Sequence, residues 1–276
     1  TADDDARHAL VDWMADPQNK FFAHALVNRY WKHFFNRGLV EPEDDMRETN
    51  PATNPELLDT MAAEFIASGF DLKKLVRTIV TSSTYQLSAI PNSHNAKDKQ
   101  YFSRYYPKRL TAEVLLDSID SLTKSHTKWA GLPTGTRAVQ LPDNSFNSKS
   151  YFLQVFGRPD NASACACERS QEASLAQSLH LLNSKDIQAK LSADAGRAAE
   201  LALDAKLTDE RKMQELYLWA FARPAMSHEA TVGVEHVEKK LRQAKEAKGD
   251  LKQAKREAYE DIVWALISSK EFLFNH

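Results

Sequence analysis

Apolar positions recur along this chain at three- and four-residue intervals, the spacing that lines side chains along one face of an α-helix. The plainest stripe is Leu57, Leu58, Met61, Ala62, Phe65 and Ile66, preceded by Asn54-Pro55. Asparagine caps a helix N-terminus well, and proline suits the first helical position, where a missing N–H is no loss. Gly69 fits the C-terminal cap. Asp71 then opens a second stripe at Leu72, Leu75, Val76, Ile79 and Val80, and so short a connection predicts an antiparallel pair or a sharp corner. Upstream, a short helix over 3–14 stops before Pro17, and a longer one over 19–36 carries Leu26, Tyr30 and Phe34 four apart and is ended by Gly38. Thr111-Ala112-Glu113 opens a helix carrying Val114, Leu115, Ile119 and Leu122. Later, Met213, Leu216, Tyr217, Ala220 and Phe221 form a stripe halted by Pro224, and a long charged helix starts at Ser227. After Gly249-Asp250 a last helix carries Tyr259, Ile262, Val263, Leu266 and Ile267.

The stretch 125–171 breaks this rhythm. It holds Pro133, Gly135, Pro142, Gly157 and Pro159, with β-prone pieces at 137–141 and 151–156. Its rings, Trp129, Phe146, Tyr151, Phe152 and Phe156, argue against disorder. The expectation is therefore a mainly α, multi-helix, bundle-like fold with an irregular, partly β insert around 125–171. We read 1–276 as a single helical domain, with N-terminal helices over 1–124 and C-terminal helices over 172–276.

Composition narrows the function classes. Hydrophobic residues make up 42%, enough for a sizeable core, and 36 basic against 38 acidic side chains leave a net charge of −2. No field recruits nucleic acid or an anionic membrane surface. No apolar run reaches the roughly 18–20 residues of a membrane span. Glutamates interleave with the lysines of 235–261, as at Glu235 and Lys239, which is the pattern of solvated helix faces. The acidic start, Thr1 to Asp5, lacks the basic-then-apolar order of a signal peptide, so an export signal lies upstream or the protein is cytosolic.

Catalytic signatures are missing. No HExxH, GxSxG, GxGxxG, phosphate-loop or CxxCH pattern occurs, so no metal site is expected and no covalent haem can be held by this segment. The densest polar run is Arg158-Pro159-Asp160 through Cys165-Ala166-Cys167-Glu168-Arg169, followed by a helix with Gln177, His180 and Asn183. The two thiols could be inert and half-buried, could close a small redox-labile disulfide ring, or could join a soft metal that lacks its other ligands. A second cluster is Asn28-Arg29-Tyr30-Trp31 with Asp44-Asp45. Paired carboxylates can bind a hard cation or act as acid and base, but an Arg29–carboxylate pair clamping the loop to its helix is the commoner arrangement. Arg109 and Glu113 open the central helix; Arg109 could hold an anion, although an Arg–Glu pair is the plainer reading.

These residues also carry a resemblance. The runs DWMADPQNKFFAHALVNRYWKHFFNRGLVEPEDDM, NPELLDTMAAEFIASGFDLKKLVRTIVTSSTY and KRLTAEVLLDSI, then FGRPDNASACACERSQEASLAQSLHLLNS and LISSKEFLFNH, resemble the planctomycete-specific C-terminal domain of unknown function over nearly the whole chain. Its recurring motifs fall on Asn28, Arg29 and Trp31; Asp44 and Asp45; Arg109 and Glu113; Arg158 and Pro159; Cys167, Glu168 and Arg169; and Asn183. The resemblance implies an extracytoplasmic, multidomain parent in which this domain follows a second uncharacterised domain and a c-type cytochrome segment, to which any haem belongs. An oxidising compartment favours a Cys165–Cys167 disulfide.

Two functions compete. One is a non-catalytic binding or scaffolding domain that docks on companion domains and presents the aromatic insert to a partner, with polysaccharide as a candidate. The other is a redox or hydrolytic enzyme domain whose site joins Asp44 and Asp45 to the 158–169 segment.

Overall fold

The computed structural model describes residues 5–16, 18–143, 145–146, 150–159 and 175–275. It is mainly α: thirteen helices and one two-stranded ladder occur among the described residues. The chain divides into two compact units, one ending at Lys108 and the other running from Arg109 to Asn275. The boundary falls ahead of the central helix, which therefore belongs to the second unit.

In the first unit, α1 (Ala6–Ala15) is capped by Asp5, whose side chain accepts from the Arg7 N–H. α2 (Lys20–Phe35) is capped by Asn19 and closes on Asn36, which adopts left-handed φ of 62°. Gly38 is thus not the helix terminator. Its missing Cβ serves packing, because a Cβ there would stand 2.3 Å from the Val40 carbonyl oxygen. The buried stripe of α2 is Ala23, Val27, Trp31 and Phe35, one position on from Leu26, Tyr30 and Phe34, which are half-buried beside it. α3 (Pro55–Ala67) and α4 (Leu72–Val80) pack on α2 and carry the caps expected, with Asn54 accepting from the Leu57 N–H and Asp71 from those of Lys73 and Lys74. Leu58, Met61, Ala62, Phe65, Leu75 and Ile79 meet the α2 stripe. The non-helical run after α4 adds Phe102 and Tyr105 to that core, and Phe102 meets Trp31 edge-on at 5.4 Å.

In the second unit, α5 (Ala112–Thr123) is the central element, with Leu115 and Ile119 fully enclosed. The unit continues with α6 (Tyr151–Val155), α7 (Leu175–Asn183), α8 (Lys185–Leu191), α9 (Arg197–Leu203), α10 (Asp209–Phe221), α11 (Ser227–Glu246), α12 (Leu251–Ile267) and α13 (Lys270–Leu273), of which α6, α8, α9, α10 and α12 pack on α5. β1 (Lys108–Arg109) pairs with β2 (Phe274–Asn275), and the adjoining Leu110 N–H donates to the Leu273 carbonyl at 2.9 Å.

The β-prone reading of 137–141 and 151–156 is corrected. The first piece holds a 3-10 turn (Ala138–Gln140) pinned from outside, since the Asp117 carboxylate on α5 accepts from the N–H groups of Ala138 at 2.6 Å and Val139 at 3.2 Å. The second is α6, with Ser150 as N-cap accepting from the Leu153 N–H. Capping and tertiary burial override the strand preference of aromatic residues here. Within the described part of the insert, Trp129, Phe146, Phe152 and Phe156 are core residues, and only Tyr151 among its rings is exposed. The described part of the insert thus shows one ring, Tyr151, and no wider aromatic face.

A partly buried ion network ties the α10–α11 turn and the start of α11 to α13. Arg223 donates to both oxygens of Glu229 at 2.9 Å and to Glu271 at 2.6 and 2.7 Å. The hydrogen bonds from Arg223 pull the Glu229 carboxyl down to about 2, against the opposing effect of burial. A depressed folded pKa makes this pairing fully stabilising above the ordinary glutamate value and progressively lost as pH falls through the folded one. Urea unfolding of the parent is therefore expected to weaken more steeply between pH 4.5 and 2 than that of Glu229→Gln, and equal acid slopes would refute the assignment.

Candidate functional site

Asn28 and Arg29 stand at the middle of α2, opposite the loop that succeeds it. Asn28 is wholly buried; its side-chain oxygen accepts from the Val40 N–H at 2.9 Å, and its amide donates to the Val40 and Glu43 carbonyls at 2.9 and 3.1 Å. Arg29 forks onto Asp44, with Nη2 2.6 Å from Oδ1 and 2.8 Å from Oδ2. Asp45 takes Arg47 instead, at 2.6 Å. That pairing, through the Arg47 hydrogen bonds, holds the Asp45 carboxyl below its ordinary value. Adjacent carboxylates thus turn to separate arginines rather than converging on one ligand. Lys32 adds a further clamp, donating to Glu41 at 2.7 Å and Glu43 at 2.5 Å.

In the second unit, Arg109 is buried and donates through Nη2 to the Phe156 carbonyl at 3.2 Å, with its guanidinium 5.9 Å over the Phe156 ring. Burial pushes its pKa down. Glu113 pairs with Arg158: Arg158 Nε lies 3.3 Å from Glu113 Oε1, both side chains being largely buried. Arg158 also donates to the Asp143 carbonyl at 3.1 Å. His180 sits beside Tyr151, Phe152 and Phe156, at 5.2, 5.6 and 6.4 Å between ring centres, and burial keeps its pKa low. Gln177 donates to the Val155 carbonyl at 3.0 Å, while Asn183, at the end of α7, is exposed. These contacts hold α6 against α5 and α7.

Cys165, Cys167, Glu168 and Arg169 lie outside the described residues, as does the disulfide expected between the two thiols. Asp44 and Asp45 belong to the first unit and Arg158 to the second, and each group is accounted for within its own unit. Among the described residues no group of three His, Cys, Asp or Glu side chains is placed to hold a metal ion, and no helix is long and apolar enough to cross a membrane.

The first unit also has a surface feature that lies outside the sequence motifs. α1 buries none of its residues, and Leu10, Val11 and Trp13 are exposed by 54%, 59% and 58%. Beside it opens a groove of about 740 Å³, lined by Trp13, Phe21, His24, Glu48, Asn50 and Asp59 among others. Phe21 is 62% exposed there, and His24 bridges the wall to Asp59 at 3.0 Å. The available signal was Leu10, Trp13 and Met14 at helical spacing on a short helix that has no core of its own.

A family model described as PSD1, Protein of unknown function (DUF1553), matches residues 6–237. No curated protein and no solved structure matches the chain.

Proposed function

Because the chain belongs to the PSD1 family, Protein of unknown function (DUF1553), which brings no reaction with it, we propose a role argued from its surface: a non-catalytic docking domain of a larger extracytoplasmic polypeptide. Its docking face is α1 with the adjoining groove, and the occupant is an apolar segment of a companion domain in the same protein. The observation that carries this reading is the bare apolar face of α1, with three large side chains in water on a helix that buries nothing. Exposed apolar surface beside polar groups marks interaction sites, and Trp13 of α1 lines the groove together with Glu48, Asn50 and Asp59. The pairing of Asp44 and Asp45 with separate arginines supports binding over chemistry. The upstream companions include a c-type cytochrome segment, so that any haem belongs to that part and not to this one.

Hydrogen exchange tests this directly. Amides of 6–15 should exchange fast in the isolated chain and roughly tenfold or more slower in a polypeptide that carries the companion domains. Leu10→Asp should abolish that protection while leaving α3 and α4 unchanged. Equal exchange in the short and long proteins would overturn the docking reading. Retardation of the isolated chain by a polysaccharide gel, lost in Trp13→Ala, would assign the groove to a glycan instead.

A further inference from the structure

A second pocket in the first unit, of about 380 Å³, lies where the end of α2 meets the loop around 98–106. Its walls hold Lys32, Arg37, Lys99 and Arg104 against only Glu41 and Asp98. Both carboxylates are already committed. Glu41 accepts from Lys32 and, through its other oxygen, from the Gly38 N–H at 2.9 Å. Asp98 accepts from the N–H groups of Gln100, Tyr101 and Ser103 and from the Ser103 hydroxyl, which hold its carboxyl far below the ordinary value despite burial. Lys32 is neutralised by Glu41 and Glu43.

That leaves Arg37, Lys99 and Arg104 facing the pocket with no carboxylate within ion-pair distance among the described residues. Among the described residues neither Arg37 Nε nor Arg104 Nε, both shut away from water, has a hydrogen-bond partner. Arg104 also donates to two carbonyls at 3.4 and 3.5 Å, and its guanidinium lies 5.2 Å over the Tyr106 ring. An unmet buried donor costs about 1–3 kcal/mol, a cost that an acceptor reaching both arginines would relieve. A guanidinium is built to satisfy such donors with the two oxygens of a planar or tetrahedral anion.

We propose that this pocket binds an oxyanion group, a carboxylate, sulfate or phosphate, gripped by Arg37 and Arg104 with Lys99 adding charge. The chain around it is shaped for the purpose. Asn36, left-handed at φ 62°, turns the chain at Arg37, and the four bonds to Asp98 fix the loop that carries Lys99 and leads to Arg104. Tyr106 braces that loop, its ring lying under Arg104 and its hydroxyl accepting from the Phe102 N–H at 3.0 Å. The site lies apart from the α1 groove in its lining residues and does not depend on the docking reading.

The test is an NMR titration of the arginine Nε–Hε signals in the intact chain at constant ionic strength, replacing chloride by inorganic sulfate, inorganic phosphate or glucuronate. The expected result is a saturable shift of the Arg37 and Arg104 signals with at least one of these anions, and the anion that saturates first identifies the group. Arg37→Gln and Arg104→Gln should each weaken binding about tenfold or more. Arg37→Lys, which keeps the charge but loses the fork, should recover only part of it. Arg242→Gln removes an exposed cation on α11 and should change nothing. Shifts no larger than those in chloride, or equal loss in Arg242→Gln, would overturn the proposal. Circular dichroism of each variant separates lost binding from lost folding.

Discussion

Replacing Asn28 with alanine will destabilise the first unit by about 3 kcal/mol, since it strips the partners from two backbone groups that cannot reach water. Val40 is 3% exposed, and its N–H and carbonyl both bond to the Asn28 amide at 2.9 Å. Gly38 packs directly against the same amide, where an added Cβ would already lie 2.9 Å from its oxygen. Asn28→Asp should be about as damaging for a different reason. It keeps the acceptor for the Val40 N–H but turns a second anionic oxygen towards the Val40 and Glu43 carbonyls, where the amide had donated. Hydrogen exchange locates the effect: α2–α4 amides should lose protection while those of α5 and α12 hold theirs. A variant with unchanged protection across α2–α4 would show that Asn28 does not lock the loop.

What the sequence makes legible is what local chemistry decides. The caps of α3 and α4 rest on Asn54, Pro55 and Asp71 acting within four residues, and the structure carries them at those positions. The Arg29–Asp44 clamp is legible too, as an arginine on a helix meeting carboxylates in the loop behind it. Effects that cross the chain are not. The turn at Ala138–Gln140 is held by Asp117 on α5, which no short window contains, so its composition reads as strand. For the same reason helical spacing points Glu113 at Arg109 and gives no hint of Arg158, which reaches it from the far side of the insert. The rings of the insert look like a binding face because polarity cannot tell an aromatic residue that folds inward from one that is displayed; four of them pack with α5 in one core. The bare face of α1 is the converse case, an amphipathic stripe that pattern alone would assign to the core. Arg37 and Arg104 stand apart in sequence and meet only at a pocket wall, so nothing in their spacing marks them as a pair.

Removing the charge of Asp209 will cost the second unit about 2–3 kcal/mol, less than the loss of a fully buried partner because Asp209 and Lys255 keep 23% and 26% of their side chains exposed. Asp209 opens α10, and three groups converge on it. Tyr259 donates its hydroxyl at 2.7 Å, Lys255 lies at 2.9 Å and Lys212 at 3.4 Å. Lys212 and Tyr259 are completely buried. The carboxyl is held below its ordinary value, although burial works against this, because Lys255 and Tyr259 bond to it. Lys212 moves the opposite way from a well-paired lysine: burial, with Lys255 nearby, pushes its pKa down. The geometry explains the mismatch, since the carboxylate serves Lys255 and Tyr259 first and Lys212 donates mainly to the Asp204 carbonyl at 2.6 Å. Asp209→Asn therefore leaves two lysines facing each other without a counter-charge, whereas Lys212→Met removes a desolvated amine from an apolar niche and should be neutral or stabilising. The two also differ with pH. The contribution of Asp209 is complete above the ordinary aspartate value and fades as pH falls through the folded one, so Asp209→Asn should flatten the acid limb of stability. Lys212, depressed in the fold, makes stability rise as pH climbs from its folded pKa towards 10.5, and Lys212→Met should remove that rise. Urea unfolding of both variants from pH 3 to 10.5 reads all of this, and an Asp209→Asn protein within about 1 kcal/mol of the parent at neutral pH would show that the cluster is not coupled as its distances imply.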